Sequence, residues 1–187
     1  MKILKKLLVR IILLILTVGI VCGSVVAVLG YFMYRDALKE QSLEDRVAEV
    51  QADPSYTTLA ELPDIYLEAV VAVEDHRFRQ HCGIDIIAIA RAAWNNIKSW
   101  SLREGGSTIT QQLAKNMYFT QEKSFIRKIA EMFMAFRLER TYTKDEILEL
   151  YVNSIYFGDG YYGIGDACEG YLNKAPIEMT DYECTLM

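Results

Sequence analysis

The sequence has little with which to build a disulfide or metal framework. Of its four cysteines, Cys22 sits in a long apolar run, and Cys82, Cys168 and Cys184 are an odd number that permits at most one internal disulfide. Their spacing matches no zinc site, and they read as small, partly buried hydrophobes. No glycine-rich stretch closes in Gly-Lys-Ser or Gly-Lys-Thr, which excludes a P-loop nucleotide site. Convincing apolar-polar alternation is also missing, which argues against a sheet-based core. Acidic residues are absent before Asp36, whereas residues 35–187 hold all 25 of them with 16 of the 20 basic ones, a formal charge of −9. So acidic a surface is a poor partner for nucleic acid, although local basic clusters still govern what a site attracts.

What is present begins with Lys2, Lys5, Lys6 and Arg10, followed by an uncharged apolar run over residues 11–34. As a helix that run is roughly 36 Å long, enough to cross a hydrocarbon core about 30 Å thick. Gly19, Gly23 and Gly30 weaken a soluble helix but are frequent in membrane spans, and the basic cluster predicts that residues 1–10 are cytoplasmic. A cleaved signal peptide competes with this reading, because small residues gather from Gly23 to Ala27. Against it, the apolar core outruns an h-region of about 7–15 residues and continues through Leu29, Tyr31, Phe32 and Met33. The expectation is a single-pass protein of the cell membrane with its remaining chain on the extracytoplasmic side.

Residues 35–60 are polar, are broken at Asp53-Pro54-Ser55, and read as a stalk with one helix. Residues 61–187 make one domain's worth of chain. Pro63 suits the first position of an apolar helix from Ile65 to Glu74. A second helix, Asp85 to about Trp100, carries Ile86, Ile87, Ile89, Ala90, Ala93, Trp94 and Ile97, a broad face suited to a core. Arg103-Glu104-Gly105-Gly106 interrupts the pattern. Capping-box spacing at Thr108 with Gln111, Thr143 with Glu146 and Thr180 with Glu183 marks further helix starts, and the longest helix runs from Phe125 to about Arg140. The glycine-rich stretch from Phe157 to Gly165 predicts a tight loop. The fold class expected is mainly α, with Tyr66, Phe78, Trp94, Trp100, Phe119, Phe133, Phe136 and Tyr151 available for one core. Leu186-Met187 stand inside an apolar pattern that has not finished, so the sequence reads as a fragment.

Three local patterns could carry chemistry. In Glu74-Asp75-His76-Arg77-Phe78 a very apolar helical face finishes in a carboxylate; burial there would prepare Glu74 to exchange a proton near neutral pH, while a solvated helix end fits the same letters. Asp75 and Arg77 read as an ion pair or loop support. Arg127 and Lys128 precede Glu131 by four and three residues, so both cations can share its face and keep it ionised; an ordinary surface ion pair is the plainer alternative. The stretch Gly105 to Asn116 gathers hydroxyls and amides suited to sugar or phosphate at a helix start, although Ser107 and Thr108 could do no more than cap.

Together these patterns resemble the peptidoglycan glycosyltransferases, the membrane-bound enzymes that polymerise lipid II, found alone or as the N-terminal module of bifunctional penicillin-binding proteins. The resemblance rests on Glu74 to Gly83, Gly105 to Asn116, Arg127 to Glu131 and Lys144 to Asn153, in order, with Tyr156-Phe157-Gly158 and Gly163-Ile164 following. It implies a lysozyme-like helical lobe with a smaller membrane-facing jaw, for which residues 94–125 with Trp100, Leu102, Phe119 and Phe125 are the candidates. Glu74 is the implied general base. Glu131 is implied to assist departure of undecaprenyl diphosphate. Arg127, Lys128 and Lys115 would hold the diphosphate, with Arg79 as a further cation, and Ser107, Thr108, Gln111, Gln112 and Asn116 would orient the donor. No tightly bound cofactor is implied; a divalent cation, Mg or Mn, is allowed, with Glu131 as its ligand.

The implied partners are lipid II, the growing glycan, the bilayer and a separate transpeptidase with other cell-wall synthesis proteins. Ala130 and Asn173 depart from the family pattern, and the family continues past residue 187 into a segment with a further arginine. Two rivals remain: a lysozyme-like or lytic transglycosylase that cleaves glycan, and an inactive membrane-tethered cell-wall scaffold.

Overall fold

The computed structural model describes residues 2–101, 105–120 and 124–187, so Leu102 and Arg103-Glu104 of the expected helix break lie outside the described residues. In chain order the elements are α1 (Lys2–Glu40), α2 (Leu43–Gln51), α3 (Asp64–Glu74), α4 (Ile86–Ser99), α5 (Ile109–Tyr118), α6 (Phe125–Thr141), α7 (Lys144–Val152), β1 (Tyr156–Gly158), β2 (Tyr161–Tyr162), α8 (Ile164–Leu172) and α9 (Asp181–Leu186). The fold is predominantly α-helical, and α1 is long and apolar enough to cross a membrane.

Helix starts follow their caps. Thr108, Thr143 and Thr180 each accept a hydrogen bond from the backbone N–H three residues on, and Gln111, Glu146 and Glu183 bond back to the cap amide. Asp85 caps α4 by accepting from the amides of Ile87 at 2.9 Å and Ala88 at 3.1 Å. Each such cap is worth about 1 kcal/mol. Pro63 stands one residue earlier than expected, as the N-cap of α3.

The core forms around α5, which packs against α6 and α7 and buries Ile109, Leu113, Ala114 and Met117 along with the polar Thr110 and Gln111. Tyr66 of α3, Phe78, Met134 and Leu138 of α6, and Ile147, Leu148 and Leu150 of α7 complete it. Leu43 and Val47 join this core, so residues 35–60 are packed on the domain through α2. The glycine-rich stretch contains a short antiparallel hairpin, β1 with β2. Strands of three and two residues are too short to leave an alternating pattern in the sequence.

The largest departure from expectation is α4. Its apolar face does not enter the core: Ala92 is its buried residue, while Ile86, Trp94 and Ile97 are exposed and Trp100 is 95% exposed. Periodicity identifies an amphipathic helix but cannot say what covers its apolar face, and among the described residues nothing in the protein does. Phe125, at the start of α6, is exposed as well.

Candidate active site

The end of α3 and the beginning of α5 meet at Glu74. This carboxylate is exposed, the solvated helix end of the two readings its letters allowed, because α3 stops at Glu74 and Asp75 turns the chain away. Gln112, in the first turn of α5, donates its amide N–H to Glu74 Oε2 at 2.7 Å. The hydroxyl of Tyr151 in turn donates to Gln112 Oε1 at 3.3 Å. Burial, and then the charge of Glu74, push the Tyr151 hydroxyl well above the usual tyrosine range, so it remains a donor. Glu74 borders a cavity of about 270 Å³ with Tyr66, Val70, Val73, Tyr151 and Ile155.

Asp75 secures the same junction from below. It is buried, takes His81 Nε2 at 2.9 Å and accepts the backbone N–H of Ile109, the first residue of α5, at 3.1 Å. Thr108 donates its hydroxyl to the Gly83 carbonyl at 2.6 Å. Arg77 pairs with Asp85 at 3.0 Å, so Asp75 and Arg77 support the loop through separate partners. Gly106 passes close over α4; a Cβ there would lie 3.0 Å from Ile89 Cα.

Glu131 is the opposite kind of carboxylate. Only 1% exposed, it has Arg127 Nε at 3.0 Å from Oε1 and Lys128 Nζ at 2.8 Å from Oε2. Burying an ionised carboxylate is expensive unless it is paired, and one turn of α6 supplies both cations. Lys128 also donates to the Ser107 hydroxyl at 2.7 Å, and Arg127 to the Thr120 carbonyl at 2.7 Å. The start of α5 therefore reaches both carboxylates, Lys128 and Glu131 through Ser107 and Glu74 through Gln112.

The other candidates fall in different places. Thr108 and Gln111 are buried and bonded to each other across the cap, so they shape the turn. Asn116 follows Gln112 by one turn on the same face, and Lys115 beside it is half-buried. Arg79 pairs with Asp145 at 2.8 Å and lines a groove with Asp64, Glu68 and His76, in which Glu74 takes no part.

Residues 40–187 match the transglycosylase family profile. The chain belongs to the transglycosylase family. Penicillin-binding protein 1F of Bacillus subtilis is 38% identical over 187 residues, covering 94% of this chain and 26% of that protein. Penicillin-binding protein 1A of Neisseria gonorrhoeae is 43% identical over 132 residues, 71% of this chain and 16% of the relative. A protein of Cupriavidus necator that carries a transglycosylase name is 36% identical over 173 residues, 92% of this chain and 73% of its own length. The chain thus spans about a quarter or less of the two penicillin-binding proteins.

The side chains around Glu131 are cationic, which suits an anion better than a metal. Among the described residues no three His, Cys, Asp or Glu side chains gather into a metal site. No local signal marks Tyr151 as a partner of Gln112, because a tyrosine on an apolar helix reads as core. Nor does any reveal that Asp75 and His81 grip α5, whose first amide is 34 residues beyond Asp75.

Proposed function

We propose that the chain is a peptidoglycan glycosyltransferase that polymerises lipid II into β-1,4-linked glycan with release of undecaprenyl diphosphate. The observation that carries the reading is the pairing of an exposed Glu74, oriented by Gln112, with a buried Glu131 set between two cations. Glu74 takes the proton from the acceptor's 4-hydroxyl as that oxygen attacks the anomeric carbon. The bond to the diphosphate breaks, and inversion turns an α-linked donor into a β-linked product. Arg127 and Lys128 meet the charge that develops on the leaving diphosphate, which is where fixed cations accelerate such a transfer. Glu131 holds those cations in place. Ser107, Gln112, Lys115 and Asn116 line the donor side, Thr108 and Gln111 fix the turn that presents them, and Arg79 acts farther out.

The finer architecture belongs to the same reading: a lysozyme-like lobe around α5, and a jaw in which the uncovered apolar face of α4 meets the membrane. The anchor places residues 1–10 in the cytoplasm and the catalytic domain outside. No tightly bound cofactor is required, and a divalent cation enters only with the substrate's diphosphate. Glycan cleavage is disfavoured because it produces no diphosphate for Arg127 and Lys128 to hold. The test is polymerisation of lipid II by the full chain in detergent or lipid, read on a gel. Polymer that disappears with Glu74→Gln is the expected result; a folded unsubstituted protein that makes none overturns the proposal.

A further inference from the structure

The anchor helix is joined to the active-site helix by direct packing. Gly30 is the buried residue of α1 among those described, and a Cβ there would lie 2.6 Å from both Cβ and Cγ2 of Ile129 on α6 and 3.0 Å from the Ile126 carbonyl oxygen. Only glycine lets the two backbones approach this closely. Phe133, one turn further along α6, meets Tyr31 edge-on with ring centroids 5.4 Å apart, and Tyr34 at 5.9 Å. The crossing therefore sits two residues beyond Arg127 and one beyond Lys128.

What α1 backs is the part of α6 that the core does not hold. From Phe125 to Ile129 no residue is fully buried, and Ala130 is the first that is. Farther along, Met134, Ala135 and Leu138 are buried in the domain. At about 100° per residue, Arg127 and Glu131 stand roughly 160° around the helix from Ile129. The anchor thus presses on one side of two turns whose other side carries the buried carboxylate and its arginine, while Lys128 reaches Ser107 at 2.7 Å. Carbon atoms in ordinary contact are about 3.5 Å apart, so any side chain at position 30 would force the two helices apart by roughly 1 Å. With its second half fixed in the core, α6 answers such a push by moving its first half, and the cations move with it.

We propose that Gly30 is a positioning residue for Arg127 and Lys128: the close crossing it permits sets the first two turns of α6 against the anchor, and so sets where the two cations stand. Its neighbours on the same helix have no such task, since a Cβ at Gly19 or Gly23 would meet nothing within 4 Å. The kinetic consequence rests on the glycosyltransferase reading; the placement of Lys128 can be read without it. A misplacement of about 1 Å among groups that must be held in register can cost about 10² in rate.

The test uses the full chain in lipid nanodiscs and two readouts. In the first, lysines are acetylated competitively and scored by mass spectrometry. Lys128, engaged by Glu131 and Ser107, is expected to react about tenfold faster in Gly30→Ala, the scale of one lost hydrogen bond to a charged group, with Lys98 on α4 unchanged as the internal reference. In the second, polymerisation of lipid II should slow by about tenfold in Gly30→Ala and about 10² in Gly30→Leu, with the loss in kcat rather than KM, because charge on the leaving diphosphate grows only as its bond breaks. Gly23→Ala should alter neither readout. Gly30→Ala combined with Ile129→Gly, which moves the missing side chain to the other helix, should recover both. Unchanged Lys128 reactivity in Gly30→Ala, an equal response to Gly23→Ala, or no recovery in the double variant overturns the proposal. Faster hydrogen exchange throughout α5 and α7 in Gly30→Ala overturns it as well, because Gly30 would then serve the fold at large. The expected Lys128 pattern in a protein that makes no polymer upholds the positioning role and removes the enzymatic reading alone.

Discussion

Glu74 ends a helix, stands in solvent and has one neutral amide for a partner; Glu131 lies inside a helix, is sealed from solvent and has two cations. The contrast teaches how a mainly helical protein can give two identical functional groups different tasks. A helix that stops at its carboxylate leaves that carboxylate open to whatever enters the cleft. A carboxylate buried nearly two turns into α6 can exist as a charge only if the same helix brings its counter-ions, and those then become a fixed positive site. The first arrangement suits proton transfer, and the second suits holding a charge in place.

The comparison can be broken most directly at Glu74. Glu74→Gln should lower the polymerisation rate by about 10²–10⁴, the range for loss of a general base, with stability changed by less than about 0.5 kcal/mol. Comparable instability and rate loss would mean that Glu74 is structural. Glu131→Ala should show the reverse weighting: removing one partner of a buried ion pair costs about 3–5 kcal/mol, read as a lower denaturant midpoint, with activity falling because Arg127 and Lys128 lose their position. A smaller effect is expected from Gln112→Ala. It deletes a hydrogen bond to a charged group, about 1.5 kcal/mol or roughly tenfold in rate, and should leave the unfolding midpoint of the Glu131 region untouched.

The least effect on chemistry belongs to Glu183, at the start of α9, which serves as an internal control. Its hydrogen bond from Lys174, followed by those from Thr180, holds its carboxyl at about 2, below the ordinary 4.5. A depressed carboxylate contributes stability above its unfolded value that is lost as pH falls toward the folded one. The clamp between α8 and α9 should therefore weaken between about pH 4.5 and 2, and Lys174→Met should flatten that acid dependence without altering polymerisation at neutral pH. An unchanged acid profile in Lys174→Met would remove Lys174 as the cause.

The legible parts of this protein were those written in short spacings. Thr108 with Gln111, Thr143 with Glu146 and Thr180 with Glu183 announced their helices because a cap and its return bond are only three residues apart. Arg127, Lys128 and Glu131 were readable for the same reason, although their burial was not, since spacing says nothing about what packs on top. The contacts that build the cleft join distant segments: Asp75 to Ile109, Glu74 to Gln112, Ser107 to Lys128. No local pattern encodes them. The apolar periodicity of α4 predicts Trp94 and Trp100 in a core, whereas the structure leaves both exposed, because spacing says nothing about what packs on a face.

One consequence of the unbroken α1 concerns bilayer thickness. From the membrane segment to Glu40 the helix has no interruption, and it is fixed to α6 at Gly30. An apolar span somewhat longer than the hydrocarbon layer adjusts by leaning, and a lean of α1 turns the attached domain with it. Thinner or thicker membranes would then change the tilt of the attached domain against the bilayer, which makes the anchor a lever as well as a tether.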